Sequence, residues 1–307
     1  MSHIPPISRI AILGTGLIGA SAGLALRENG FGGTIVGWDR DESQAHIALS
    51  RGAIHTVAGE PFSAAAASDL ILLGGPVFSI LEWLNELAPV LKPGQLVTDV
   101  GSVKHAVCEQ ARGRFNGPGQ PSFLPGHPMA GKEVHGAEHA DGSLFHDAVW
   151  LFTPCEPTLA TEPVGQARME EWRSMVSGFK CRILDLDSIR HDELCAWVSH
   201  LPQFVSTALS ALLEERFPAD EQLRAIGGRA LREMTRLGAS PYSMWRDIAQ
   251  TNSDAVATAL LALEQRLTHL RENLKTPELR DEFEQANRFR VGAPGTLKKA
   301  EPDRADR

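Results

Sequence analysis

Apolar positions along this chain fall into two rhythms. From Arg9 onward, short β-branched runs alternate with longer stretches in which apolar residues recur every three or four positions. The short runs predict strands over Arg9–Leu13, Thr34–Trp38, Leu70–Gly74 and Leu96–Val100. Between them, Leu17–Asn29, Asp41–Arg51 and Ser79–Leu91 predict helices; in the last, Ile80, Leu84, Leu87 and Leu91 share one face. Parallel neighbours need crossover connections, so the alternation predicts an α/β domain with a mostly parallel sheet and helices on both faces. Two later runs, Ala148–Phe152 and Cys181–Leu184, read as further strands of the same sheet.

From about Asp187 the strand rhythm stops. Helix-period segments run to about Arg288, separated by Phe217–Pro218, Gly227–Gly228 and Gly238–Pro241. The organisation expected is an α/β domain over residues 1–186, an all-helical domain over 187–290 and a disordered tail over 291–307. The last long helix is expected to carry Val256, Leu260, Leu263, Leu267, Leu270 and Leu274 in one narrow stripe. That stripe suits either packing within its own domain or a dimer seam. Burial against a twofold mate would make it self-complementary, so a homodimer through the helical domain is the expectation carried forward.

Composition narrows the function classes. A chain of 307 residues carries 30 Lys plus Arg against 38 Asp plus Glu, a net charge of −8. That balance leaves no basic footprint for nucleic acid or an anionic membrane. No stretch is apolar enough to span a bilayer, and MSHIPPISR lacks the apolar core of a secretion signal, so a cytoplasmic location is expected. The four cysteines, Cys108, Cys155, Cys181 and Cys195, form no C-x-x-C pair and read as reduced, buried small hydrophobes.

Gly14-Thr15-Gly16-Leu17-Ile18-Gly19 follows the first predicted strand and opens the first predicted helix. There Gly14 permits a tight turn, Gly16 lets a pyrophosphate approach the backbone, and Gly19 allows close helix–strand packing. The helix N-terminus, with Leu17 and Ile18, offers free N–H groups to phosphates. Asp39 closes the second strand, about twenty residues on, where a carboxylate accepts ribose hydroxyls and repels a 2′-phosphate. The domain therefore reads as Rossmann-type with NAD as cofactor; NADP stays possible because Arg40 could pair with a 2′-phosphate. Pro76, just past the third predicted strand, belongs to the same cofactor side.

Ligands of open α/β sheets bind beyond the carboxyl ends of the strands. Two loops there carry chemistry, Asp99-Val100-Gly101-Ser102-Val103-Lys104 and Gly126-His127-Pro128-Met129-Ala130-Gly131-Lys132-Glu133. The order GTGLIG, DVGSVK, GHPMAGKE, HDELCAWVSHLPQ, TRLGASPYSMWRDI resembles the prephenate/arogenate dehydrogenase family of tyrosine biosynthesis, over roughly Arg9 to Arg288. The resemblance implies oxidation of a 4-hydroxy-cyclohexadienyl substrate at C4 with loss of the ring carboxylate as CO2. It implies His127 as acceptor of the hydroxyl proton, Ser102 holding His127 or the nicotinamide amide, and Arg236 clamping a substrate carboxylate. By the same resemblance His200 and Glu133 face the substrate's side chain, and Trp245 walls the ring pocket or the domain junction. Those residue types suit the roles: a neutral imidazole accepts a proton, with a reference pKa of ~6.5 that places an acid limb of activity near pH 6–7. A guanidinium matches a carboxylate in two-pronged geometry. Lys104 either binds substrate or is a solvated group at a helix start.

Three other readings compete. His135-Gly136-Ala137-Glu138-His139 fits an H-x-x-E-H zinc peptidase motif, which needs a helix that Gly136 weakens; no metal is expected there. Another Rossmann/helical-domain β-hydroxyacid or imine-type dehydrogenase would share the architecture without combining GHPMAG and SHLPQ. A non-catalytic nucleotide sensor would have no reason to keep His127, Ser102 and Arg236 together.

Overall fold

The computed structural model describes residues 4–132, 134–155 and 163–292. By internal contacts the chain divides into two compact units, Met1–Val256 and Ala257–Arg307.

In the first unit, strands β1 (Arg9–Leu13), β2 (Thr34–Trp38), β3 (Thr56–Val57), β4 (Leu70–Leu73), β5 (Leu96–Asp99) and β6 (Ser122–Leu124) form a parallel sheet in the order β3-β2-β1-β4-β5-β6. The strand order reverses between β1 and β4, which opens a crevice at their carboxyl ends. Successive residues serve opposite faces. Ile10, Ile12, Leu70 and Leu72 pack in one core, whereas Ala11, Leu13, Ile71 and Leu73 pack in the other. Burial on both faces explains why these strands read as near-continuous apolar runs rather than alternating ones.

Helices α1 (Leu17–Glu28), α2 (Glu42–Ser50), α3 (Pro61–Ala66), α4 (Val77–Leu87) and α5 (His105–Ala111) make the crossovers. Asp41 caps α2 by accepting from Ser43 N, and Glu60 caps α3 from Phe62 N and Ser63 N. The short β3, β6 and α3 escape sequence periodicity, because two, three and six residues are too few to show one.

The two late runs leave this sheet. Strands β7 (Gly126–Pro128), β8 (Val149–Phe152) and β9 (Arg182–Asp185) form a separate sheet, with β7–β8 antiparallel and β8–β9 parallel. The expectation that Ala148–Phe152 and Cys181–Leu184 extend the main sheet is corrected. Gly126 turns the chain straight out of β6, where a Cβ would lie 2.8 Å from Asp99 O and Trp150 Nε1, so β7 pairs with β8 instead. Helix α6 (Pro163–Gly178), not expected from the sequence, buries Met169, Trp172 and Val176 in the core that Trp150, Phe152 and Phe179 line.

The cysteine reading is also corrected. Cys108 on α5 and Cys155 past β8 form a disulfide with Cα atoms 5.4 Å apart. A pairing across 47 residues, made by the fold alone, leaves no trace in spacing. Cys181 is half-buried and Cys195 buried, and both are free.

Helices α7 (Ser188–Cys195), α8 (Leu201–Arg216), α9 (Glu221–Ile226), α10 (Arg229–Thr235) and α11 (Tyr242–Thr251) follow, with a π-turn at Ala196–His200 and a 3-10 turn at Arg236–Ala239. The Pro and Gly punctuation falls at their ends. Helix α12 (Ser253–Glu272) stops short of Leu274, and a further helix, α13 (Glu278–Gly292), follows. Leu274 therefore lies beyond the helix expected to carry it. Within the second unit Arg266 pairs with Glu282 at 2.6 Å. Val291 and Gly292 are helical, so the tail does not begin at 291; residues 293–307 lie outside the described residues. No described helix is long and apolar enough to cross a membrane.

Candidate active site

The glycine turn meets the steric demands its spacing implies. Gly14 has φ +100, and a Cβ on it would sit 2.7 Å from Gly74 C. A Cβ on Gly19 would lie 2.0 Å from Gly14 O, whereas one on Gly16 would meet nothing within 4 Å. Two glycines thus let backbones touch, and the third leaves its approach open. Beside them is a cleft of about 370 Å³ lined by Gly14, Gly16, Asp39, Arg40, Pro76 and Trp83 among others. Asp39 Oδ2 accepts from Thr15 N at 2.7 Å and its Oδ1 from Asp41 N at 3.0 Å, which fixes the carboxylate at the cleft wall. Arg40 is largely exposed, 3.7 Å from Glu82. A larger cavity of about 610 Å³ lies at the amino end of β1, between the 29–33 loop and α6, away from these groups.

The second group of side chains is buried. His127 on β7 is 7% exposed, and its Nδ1 lies 2.9 Å from Nε2 of His191 on α7. His191 Nδ1 lies 2.7 Å from Asp192 Oδ1. The carboxylate of Asp192 also accepts from Lys104 N at 2.7 Å and His105 N at 2.9 Å, so it sits on the N-terminus of α5. A carboxylate only accepts, so His191 donates from Nδ1 and presents a bare Nε2. His127 then donates from Nδ1, which leaves its own Nε2 bare. The chain Asp192–His191–His127 thereby sets the tautomer of His127 and leaves its Nε2 able to accept a proton.

Lys104 is completely buried and its Nζ pairs with Asp99, which also accepts from Gly101 N at 2.8 Å and Gly126 N at 3.2 Å. The reading of Lys104 as a solvated group is corrected: its buried ammonium pairs with Asp99, whose carboxylate also ties the loop after β5 to β7. Burial pushes the pKa of His127 well below the usual value, and the cationic forms of His191, Lys104 and His200 push the same way. The acid limb expected near pH 6–7 therefore moves lower. His191 shifts down for the same leading reason, partly opposed by Asp192.

His200, at the end of the π-turn, is buried with Nδ1 3.3 Å from Asn252 Nδ2 and no hydrogen-bond partner on Nε2. Its pKa falls to about 4, chiefly through burial. Trp245 stacks edge-on to His200 and Phe204 with centroids 5.9 and 6.0 Å away, so two expected substrate residues stand together. Arg236 is exposed on its 3-10 turn, which Gln203 of α8 holds through a 2.7 Å bond to Leu237 O. Ser102 is half-buried in the loop after β5; the partner on His127 Nδ1 is His191 and not Ser102. Glu133 lies outside the described residues. The H-x-x-E-H segment is no helix: Gly136 has φ +96, Ala137–His139 is a 3-10 turn, and both histidines are exposed.

Sequence reading missed the roles of His191 and Asp192 and the pairing of Asp99 with Lys104. A signal was available: His191 and Asp192 open the HDELCAWVSHLPQ segment that also carries His200.

The sequence matches the family described as prephenate dehydrogenase, nucleotide-binding domain, over residues 22–183, and prephenate dehydrogenase, dimerization domain, over 187–287. The chain belongs to the prephenate dehydrogenase family. It is 31% identical over 251 residues to prephenate dehydrogenase of Bacillus subtilis, an alignment covering 80% of this chain and 65% of that protein. Thus it spans just under two thirds of that relative's length. Among solved structures, Synechocystis arogenate dehydrogenase superposes with a TM-score of 0.73 at 30% identity, covering 92% of this chain and 99% of that one. Prephenate dehydrogenase from A. aeolicus, in complex with hydroxyphenyl propionate and NAD+, gives 0.80 at 26% identity, covering 95% and 99%.

Proposed function

We propose that this protein is an NAD-dependent dehydrogenase that converts prephenate, arogenate or both to the corresponding 4-hydroxyphenyl product by oxidative decarboxylation. The observation that carries the reading is the bare Nε2 of His127, held by His191 and Asp192, in a chain of this family. The cofactor fits the residues present: Gly16 leaves an open cradle, Gly14 and Gly19 bring the backbone close, and Asp39 faces the same cleft. When bound, NAD supplies the hydride acceptor. Asp39 would accept the ribose hydroxyls. Arg40 stands beside Glu82, whose charge opposes that of a 2′-phosphate, so NAD is favoured over NADP.

His127 takes the C4 hydroxyl proton as the hydride leaves C4. Its depressed basicity keeps it neutral and ready at physiological pH, and the relay to Asp192 stabilises the imidazolium once formed. In this reading Ser102 holds the nicotinamide amide, Arg236 clamps a substrate carboxylate, His200 and Glu133 face the substrate's side chain, and Trp245 walls the ring pocket or the domain junction. His200 Nε2, buried without a partner, is a group awaiting one.

The helical region is proposed to form a homodimer. Leu260 and Leu267, on one face of α12, are 37% and 56% exposed in the single chain, an apolar face that a twofold mate would cover. A sedimenting species of about 33 kDa at micromolar concentration would contradict that assembly. The reaction itself is tested by following nicotinamide reduction with prephenate and with arogenate, each with NAD and NADP. Turnover with NAD and at least one substrate is expected, and no reduction with either would refute the assignment.

A further inference from the structure

The relay that prepares His127 does not use Cys195, yet the Cys195 thiol is buried beside the two histidines where their rings meet. Its Sγ lies 4.0 Å from His127 Nδ1 and 3.7 Å from His191 Nε2, and those nitrogens are 2.9 Å apart. Among the described residues these three form the group of donor atoms close enough to share one ion, all within 4.8 Å of one another. Zinc with bonds near 2.0–2.1 Å to nitrogen and 2.3 Å to sulfur needs tetrahedral edges of about 3.3 Å between nitrogens and about 3.6 Å from nitrogen to sulfur. The observed edges differ from those by about half an ångström or less. The donor set is also the right kind. Two imidazoles and a thiolate suit zinc over calcium or magnesium, which take oxygen ligands. A histidine ligand whose other ring nitrogen donates to a carboxylate is the usual support of a zinc site, and Asp192 supplies that carboxylate to His191.

We propose that His127 Nδ1, His191 Nε2 and Cys195 Sγ bind Zn2+, and that zinc bound there switches the enzyme off. This rests on His127 being the proton acceptor. The protons account for the inhibition. As the zinc–sulfur bond forms, the thiol proton leaves to solvent. His127 gives up its Nδ1 lone pair to zinc, and the proton once on Nδ1 moves to Nε2. His191 keeps its Nδ1 proton on Asp192 and turns its bare Nε2 from His127 to the metal. The nitrogen that must accept the substrate's proton is now an N–H donor, so turnover stops while the nucleotide cleft is untouched. Three protein ligands leave a fourth tetrahedral position for water.

The test reads metal binding and activity separately, on the full-length enzyme. Co2+ added to metal-free wild-type protein, with no substrate, should give a near-ultraviolet thiolate-to-cobalt band. Cys195→Ala should abolish that band, and Cys181→Ala should keep it. Zn2+ should inhibit wild-type turnover reversibly, with activity restored by a chelator. Cys195→Ala should retain metal-free activity close to wild type while its zinc inhibition weakens at least about a hundredfold, beyond the 10–100-fold typical of losing an outer-shell partner. Should Cys195→Ala fold poorly, Cys195→Ser, closer in size, serves with the same expected loss. Absence of the band in wild type, survival of the band in the Cys195 variant, or undiminished zinc inhibition of that variant would each overturn the site. Because the cobalt band needs no turnover, failure of the proposed reaction and failure of the metal site give different results.

Discussion

The nucleotide cleft and the histidine cluster both lie at the carboxyl edge of the main sheet, but they are made of different material. The floor of the cleft is backbone at Gly14, Gly16 and Gly74, its rim carries side chains such as Asp39, Arg40 and Trp83, and it is open to solvent. The cluster consists of side chains from a loop after β5, from β7 and from α7, with Lys104, His127 and His191 almost wholly withdrawn from water. A backbone cradle is set by the chain's local path, so one side chain changed at its rim alters preference more than function. In a buried relay the members hold one another through side-chain bonds away from water, and losing one leaves another unsatisfied in low dielectric.

The sharpest way to break this contrast is at the cluster. His127→Asn keeps some hydrogen bonding but removes the proposed proton acceptor, so kcat should fall about 10²–10⁴-fold with KM little changed. Steady-state rates check this, and near-wild-type turnover would show that another group takes the proton. Next in size is Asp192→Asn, which acts at one remove. Losing the carboxylate frees His191 to adopt either tautomer and should lower kcat by about 10²–10³-fold. A melting curve recorded alongside separates that loss from weaker anchoring of α5. At the cleft, Asp39→Ser should leave kcat nearly unchanged and move the NAD:NADP preference by about tenfold, one 1.4 kcal/mol interaction. If the cleft variant lost kcat as heavily as the cluster variants, the division between the two regions would be wrong.

The same difference governs what could be read from the chain alone. Gly14–Gly19 and Asp39 are visible because a cradle is local: strand, turn and helix follow within a few residues, and the acidic residue comes one crossover later. His127 and His200 stood out through their motifs. Their partners did not, because His191 and Asp192 reach β7 and α5 only when α7 folds back on them, and no periodicity encodes that approach. Lys104 was misread for the same reason, its counter-ion Asp99 being five residues away yet aligned only by the turn at Gly101. The sheet taken as one became two because Gly126 permits an abrupt exit from β6, a steric fact that apolar patterning does not carry.

The central claim is that burial and the Asp192–His191 relay hold His127 neutral with its proton on Nδ1. Nitrogen-15 spectra of histidine-labelled protein, assigned with His127→Asn and followed downward in pH, read this directly. Burial disfavours the imidazolium, so His127 should remain the Nδ1–H tautomer from neutral pH to well below the ordinary value of ~6.5. A His127 that takes up a proton near pH 6.5, or that carries its neutral proton on Nε2, would contradict the claim.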